Sequence, residues 1–484
     1  MTVNHVLLTS YIAAAGTNTV FDELMVSRVD TPSAPGLRIS PTPAHDVIVT
    51  WPAIATHWRL EQSAGLGPAS WTPVAQTPVD EGTNRSTLLA VAGEARFFRL
   101  DLDPTNLNLT NDAGTVTAIT PDSQVLVATN AGLWPTLVLL TNGDLLAFGH
   151  NQPGHTTLPG DEDCWASIAG GNSWQKRATA AARANTNANW VDSCAGLATN
   201  ADVLLLTAGY TDPGGSRRAL SPPAIFRSSD NGFTWKQRGY FPATLPRGEV
   251  TRPYGQIVRG RDGTLRTIAY DQFGSGAAYM LLSRDDGLNW GEATRIGDDL
   301  NESVLFEISA GHWLAVGRTV SKPAPVNGQE MRQFRSRDNG QTWSDENLVA
   351  GYSKHPPKLM RLQDGRLLLS YCNRRNGGIE VRFSSNQGET WSVPRSVAQA
   401  GGDRGYPDSV QLANGKIVTV FYAQSTALYA GYQMAAVVWT PPTTPKIITV
   451  HAWSEWPEGN VLKPEKEYGY GYLEAIKAVF GTKR

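Results

Sequence analysis

Two residues of this chain, Tyr406 and Glu302, are of a type and placement that could do covalent chemistry together. A tyrosine hydroxyl is a poor nucleophile at its ordinary pKa of about 10. Beside a carboxylate that takes its proton it becomes usable. A further carboxylic acid would protonate the oxygen that departs, and Asp192, Asp161 and Asp163 are the candidates. Guanidinium groups hold anionic sugars through paired hydrogen bonds; Arg252, Arg318, Arg374 and Arg375 are available for that. Such a set describes glycoside cleavage.

These residues are brought into register by turns. Apolar runs are broken at Asn142-Gly143, Asn200-Ala201, Asp262-Gly263, Ala310-Gly311, Asp364-Gly365 and Asn414-Gly415. Asn-Gly and Asp-Gly between apolar runs are strong hairpin signals. Eight positions before the turns stand Trp134, Asp192, Tyr254, Glu302, Pro356 and Tyr406; one position earlier stand Leu133, Val191, Pro253, Asn301, His355 and Gly405. The first set is aromatic or acidic at all but one place, where an interior strand should be small and apolar. Trp134, Tyr254 and His355 therefore join the arginines as candidate substrate-binding residues.

The elements that would hold such a ring follow from a second repeat, out of phase with the first. Ser228–Trp235 (SSDNGFTW), Ser283–Trp290 (SRDDGLNW) and Ser336–Trp343 (SRDNGQTW) share one form, and Ser384–Trp391 (SSNQGETW) and Ser167–Trp174 (SIAGGNSW) are weaker copies. In the full copies Asp caps backbone N–H groups in a tight turn, Gly supplies a positive φ, and Trp packs beneath; the weaker copies lack the Asp. Six hairpins and repeats of about 50 residues, room for four short strands each, predict an all-β, six-bladed propeller over 104–440. The last blade borrows its outer strand from around Val125–Ala128, which closes the ring.

Composition agrees. Of 484 residues 18% are charged, the net charge is −2, and Gly (47), Pro (30) and Trp (15) are frequent. The balance argues against a nucleic-acid partner. No apolar run is long enough to span a membrane. Three cysteines, Cys164, Cys194 and Cys372, make no disulfide framework and fit no zinc site, so buried free thiols are expected. No motif calls for a metal or a cofactor.

The Asp-box turns, with Asn301-Glu302-Ser303 and Gly405-Tyr406-Pro407, resemble the sialidase (neuraminidase) superfamily over about residues 120–440. The resemblance implies a six-bladed propeller that removes a terminal sugar with retention, Tyr406 as nucleophile, Glu302 as its activator, and Arg318 with Arg374 or Arg375 as carboxylate clamps. It also implies a monomer acting on glycans outside the cytoplasm, secreted or periplasmic. The superfamily's Arg-Ile-Pro motif is replaced here by Leu133-Trp134-Pro135, so one clamp is missing and another terminal sugar, anionic or not, is expected at least as much as sialic acid. Its acid/base Asp lies in the first blade, where Asp161 and Asp163 are loosely placed.

The flanks are read separately. Residues 36–103 form a small β-sandwich-like module, a spacer or a carbohydrate-binding appendage. Residues 1–35 are an incomplete end or linker, in which Thr19–Arg28 resembles the last strand of a concanavalin-like jelly roll; the expectation is a truncated N-terminus. Met1–Ala15 lacks the basic start of a signal peptide. Residues 441–484 form a strand-helix tail that resembles the barrel end of endo-mannosidase-like or WbsX-like proteins, in which Glu455 is a relic rather than a catalyst, since one strand and helix make no barrel site.

The expected function is an exo-acting glycoside hydrolase. The alternatives are a propeller that only binds glycan or protein, and a fusion fragment without activity. Contact between Tyr406 and Glu302 beside a third acid favours the enzyme; a buried or averted Tyr406 favours the binder.

Overall fold

The computed structural model describes residues 116–443 except 156, 213–218, 272–275 and 321–328. Outside that span it describes 6–11, 21–28, 37–42, 46–52, 58–63, 71–76, 78–81, 84–89, 97–102, 446–450, 454–455 and 460–461. The described residues are all-β. The chain divides into two compact units, Met1–Asn108 with Pro442–Arg484, and Leu109–Pro441.

The larger unit is a β-propeller. Its first blade is the antiparallel sheet Leu133–Leu139, Leu145–His150, Glu162–Ser167 and Gln175–Ala181. The following blades repeat that order, with innermost strands Asp192–Leu197, Thr251–Arg259, Leu300–Ser309, Lys358–Arg361 and Gly401–Gln411. The second and third blades are joined where Cys194 and Ala195 pair in parallel with Gly255 and Gln256. The last blade takes its outer strand, Ser123–Thr129, from the start of the unit, and it pairs antiparallel with Ala430–Trp439. This is the strand expected around Val125–Ala128.

Hairpin chemistry sets the register. In the turns at Gly143, Ala201, Gly263, Gly365 and Gly415 an N–H donates to the carbonyl three residues earlier, at 2.9–3.0 Å. The blades then pack face to face through apolar clusters. One joins the first and second (Leu146, Phe148, Leu205, Phe226); another joins the last to the first (Val418, Met434, Leu145, Trp165). That final contact closes the ring and leaves no bare sheet edge between its ends.

The Ser-x-Asp turns are staples between blades. Ser228 Oγ donates to Asp230 Oδ1 at 2.7 Å, and accepts from Gly232 N at 2.9 Å. Asp230 in turn accepts from Thr234 N at 2.8 Å. The pattern recurs at Ser283, Ser336 and Ser384, with Asn386 in place of Asp in the last. At Ser167 only the Ser–Gly bond remains, from Gly171 N at 2.9 Å. Each turn docks on the blade before it. Gly287 has φ +86°, and a Cβ there would meet Leu204 Cδ1 at 2.4 Å. Only glycine tolerates both the left-handed backbone and the approach.

All three cysteines are free and buried. Burial pushes the Cys194 thiol up to about 12 and the Cys372 thiol up to about 11, which makes them inert.

Among the described residues the smaller unit holds two larger sheets and one two-stranded pair. One runs Lys446–Val450, Phe21–Arg28, Val6–Tyr11, Phe97–Leu102, Trp58–Ser63 and Thr72–Pro73. The other runs Arg38–Pro41, Val47–Pro52, Asn84–Leu89 and Val79–Glu81. Val49, Trp51 and Leu89 of the second share a core with Leu60 and Phe98 of the first. Strands from both chain ends thus lie in one sheet. Ser454–Glu455 pairs with Asn460–Val461. The helix expected over Tyr468–Ala475 lies outside the described residues.

Candidate active site

The site begins with a backbone irregularity. The pairing of innermost with second strand shifts register between Leu133 and Thr136, Tyr254 and Val258, Leu300 and Ser303, and Gly405 and Asp408. Such bulges turn side chains out of the sheet's alternation and concentrate beside functional sites. Trp134 and Tyr406 sit within two of them in the left-handed region, at φ 51° and 53°. For bulky residues that conformation costs on the order of 1–3 kcal/mol. The bulges fall at the positions that the hairpin register singles out.

There Tyr406 Oη donates a hydrogen bond to Glu302 Oε1, and Arg318 Nη1 donates to Glu302 Oε2 at 2.6 Å. Arg374 lies over the Tyr406 ring, 5.8 Å from its centre. Trp134, Tyr254 and Tyr422 surround that ring at centroid distances of 6.3, 6.0 and 5.8 Å. Tyr406 is consequently only 7% exposed.

The electrostatics follow. Burial opposes ionisation of Glu302, but Arg318 and the Tyr406 hydroxyl outweigh it and hold the carboxyl below its usual range. Burial, then the Glu302 charge, pushes Tyr406 well above 10, against Arg318 and Arg374. The resting pair is therefore tyrosine with carboxylate, the state in which a base waits for a proton. His355 is 1% exposed, and neither ring nitrogen has a hydrogen-bond partner among the described residues. Burial, then Arg318 and Arg374, keeps it neutral, well below 6.5. The Tyr254 hydroxyl is likewise buried without a hydrogen-bond partner.

The remaining candidates are placed elsewhere. Asp161 accepts from Arg183 N at 2.8 Å and pairs with its guanidinium at 2.5 Å. Asp163 accepts from Thr179 at 2.8 Å and pairs with Lys176 at 2.6 Å on the outer strands of its blade. No hydrogen bond or ion pair among the described residues joins either of them to Tyr406 or Glu302. Asp192 opens its strand opposite Ala208; its side chain lies outside the described set. Arg252 is buried and donates to Tyr210 Oη at 2.8 Å. Arg375 is exposed.

Two acidic or basic groups that the register could not find complete the site. Asp403 precedes Tyr406 on the same strand, pairs with Arg374 at 3.6 Å, and accepts from Tyr422 Oη at 2.9 Å. His155, between the second and third strands of the first blade, bonds Asp403 through Nε2. The imidazole stands edge-on to Trp134 at 4.8 Å and to Tyr422 at 6.1 Å. Burial pushes the Asp403 carboxyl up, but His155, Tyr422 and Arg374 together hold it below its usual range.

Beneath the ring the axis is filled. Lys358 Nζ pairs with Asp408 Oδ2 at 2.9 Å and donates to Gly255 O at 2.9 Å. Thr136 Oγ1 and Leu137 N both donate to the same Asp408 oxygen, at 3.1 and 2.8 Å. Asp408 thus ties the last blade to its neighbours on either side, while the bond from Lys358 in the fifth blade to Gly255 in the third joins innermost strands of blades that are not neighbours and so crosses the ring.

Fold and site together define a β-propeller of the class built from repeated Ser-x-Asp-x-Gly-x-Thr-Trp turns. The family described as BNR repeat-like domain matches residues 143–419, more than half of the chain, and the chain belongs to it. A second family, described as Glycosyltransferase WbsX, matches residues 413–476, starting inside the last blade. No curated protein matches the sequence. Among solved structures, a protein of unknown function from Dyadobacter fermentans DSM 18053 is similar at 20% identity and TM-score 0.57, over 66% of this chain and 99% of its own. The Hadza microbial sialidase Hz136 is similar at 15% identity and TM-score 0.53, over 90% and 99%. Trypanosoma rangeli sialidase in complex with sialic acid is similar at 14% identity and TM-score 0.50, over 67% of this chain and 57% of its own. At these identities the likeness is one of fold.

Proposed function

We propose that the propeller is six-bladed and is an exo-acting glycoside hydrolase that releases a terminal sugar from glycans. The observation that carries this is the hydrogen bond from Tyr406 to Glu302 with Arg318 and Arg374 beside it. Tyr406 attacks the anomeric carbon as its proton passes to Glu302. Arg318 and Arg374 suit an anionic sugar. A substrate carboxylate that draws Arg318 away from Glu302 would also restore the basicity that Arg318 suppresses. Leu133, where a third arginine would complete the clamp, carries no charge, which argues for a sugar other than sialic acid. The bond from Lys358 to Gly255 crosses the ring, which suits an enzyme that takes chain ends.

A screen against aryl glycosides, sialosides included, tests the reading. Activity that disappears in Tyr406→Phe and Glu302→Ala is expected; activity that survives both overturns the site. The burial of Tyr406 favours a second reading, a propeller that binds glycan or protein without cleaving it. Glycan-array binding unchanged by Tyr406→Phe, with no glycoside cleaved, would establish it. We further infer that the 36–103 module is a β-sandwich appendage and that the protein acts as a secreted or periplasmic monomer.

A further inference from the structure

Retaining cleavage needs a proton donor for the departing oxygen as well as a nucleophile. Asp161 and Asp163 are each occupied by basic partners of their own blade. Asp403 reaches the aromatic ring of the site, but Arg374, Tyr422 and His155 all stabilise its anion. A carboxylate so held is a poor acid. His155 remains. It stands against Trp134 and Tyr422, which both pack on Tyr406. Its Nε2 is fixed by Asp403, which leaves Nδ1 to carry the exchangeable proton. A carboxylate behind an imidazole fixes its tautomer and stabilises its cation, and histidine both gives and takes a proton near neutral pH.

We propose that His155 is the general acid and base of this site, held by Asp403 as its positioning residue. The inference rests on the glycoside hydrolase reading above. In the first step Tyr406 Oη bonds to the anomeric carbon while its proton passes to Glu302. The glycosidic C–O bond breaks, and the departing oxygen takes the proton from His155 Nδ1. In the second step water gives a proton to Nδ1 and its oxygen to the anomeric carbon. The bond to Tyr406 breaks, and the tyrosine recovers its proton from Glu302.

The test uses the aryl glycoside cleaved fastest in the screen, in two forms. One carries a phenyl leaving group, which needs a proton; the other carries 2,4-dinitrophenyl, which does not. In His155→Ala, kcat/KM for the phenyl glycoside should fall about 10²–10³-fold, and that for the dinitrophenyl glycoside should stay within about threefold. Azide, which attacks without a base, should raise kcat on the dinitrophenyl form. In Asp403→Asn the alkaline limb of the phenyl profile should move to lower pH, because the imidazolium loses its carboxylate. A merely structural role would leave that limb in place. Equal losses on both substrates, or none on either, in a His155→Ala protein that melts like the parent, overturn the proposal. If His155→Ala unfolds, His155→Asn is read in the same way. Labelling of Tyr406 by the matching 2-deoxy-2-fluoro glycoside separates the layers: labelling with His155 inert sinks only this inference, whereas no cleavage and no labelling sink the hydrolase reading with it.

Discussion

The rim and the centre of the propeller use the same chain differently. At the rim, Ser228, Ser283 and Ser336 make the same bonds to the same partners, and each turn docks its glycine on the preceding blade. At the centre, equivalent positions hold Trp134, Tyr254, Glu302 and Tyr406, and the first three meet the fourth by different contacts, two aromatic edges and a carboxylate. Repetition serves where every interface is alike. Where one ligand meets all blades at once, each blade contributes something different. Stability and chemistry are therefore separable by radius.

The largest effect that would sharpen this contrast is catalytic. Tyr406→Phe should lower turnover of any cleaved glycoside by about 10³-fold and leave the melting temperature unchanged; a comparable loss from a rim change would break the contrast. Next is the floor of the centre. Lys358→Met strands Asp408 in a buried site and should cost about 3–5 kcal/mol in urea unfolding. Adding Asp408→Leu should recover most of that loss.

Acid gives the third. Burial lowers the pKa of His150 to about 4, while the unfolded chain titrates near 6.5. Between those values the unfolded state binds more protons, so stability falls as pH drops from 6.5 to 4, by up to about 3 kcal/mol. Thermal melts of His150→Gln should show a shallower slope across that window. The smallest effect belongs to the rim. Asp230→Ala removes the acceptor for Thr234 N and Thr234 Oγ1 and should cost about 1–2 kcal/mol by melting, with kcat/KM intact.

The rim was legible in the sequence because its chemistry is local. Each turn is an eight-residue motif, and four of the six hairpins announce themselves by Gly after an Asx side chain. The same hairpins locate Tyr406 and Glu302, since a strand of fixed length links turn to mouth. They even allow the outer strand of the last blade to be assigned to around Val125–Ala128, within the observed Ser123–Thr129. The rest of the site does not obey a strand register. His155 lies in an irregular link, and nothing in its neighbours says that it reaches Asp403 across the first and last blades. Asp403 lies beyond the bulge at Gly405–Asp408, where counting in twos fails. Asp161 and Arg252 have suitable side chains but are engaged by Arg183 and Tyr210, partners that no spacing rule foretells.

The outer strand of the last blade has a kinetic consequence. Among the described blade strands Ser123–Thr129 is preceded only by the two-residue Thr117–Ala118, yet the partner of Ser123, Val438, is nearly the last of the propeller to appear. Closing so long a loop is a slow event in folding. During translation each intermediate blade can form its own hairpins and dock on its predecessor, while Ser123–Thr129 waits with an unpaired edge. The ring becomes complete only when the C-terminal blade leaves the ribosome, so the early chain is exposed to strand-pairing errors for the whole of that interval.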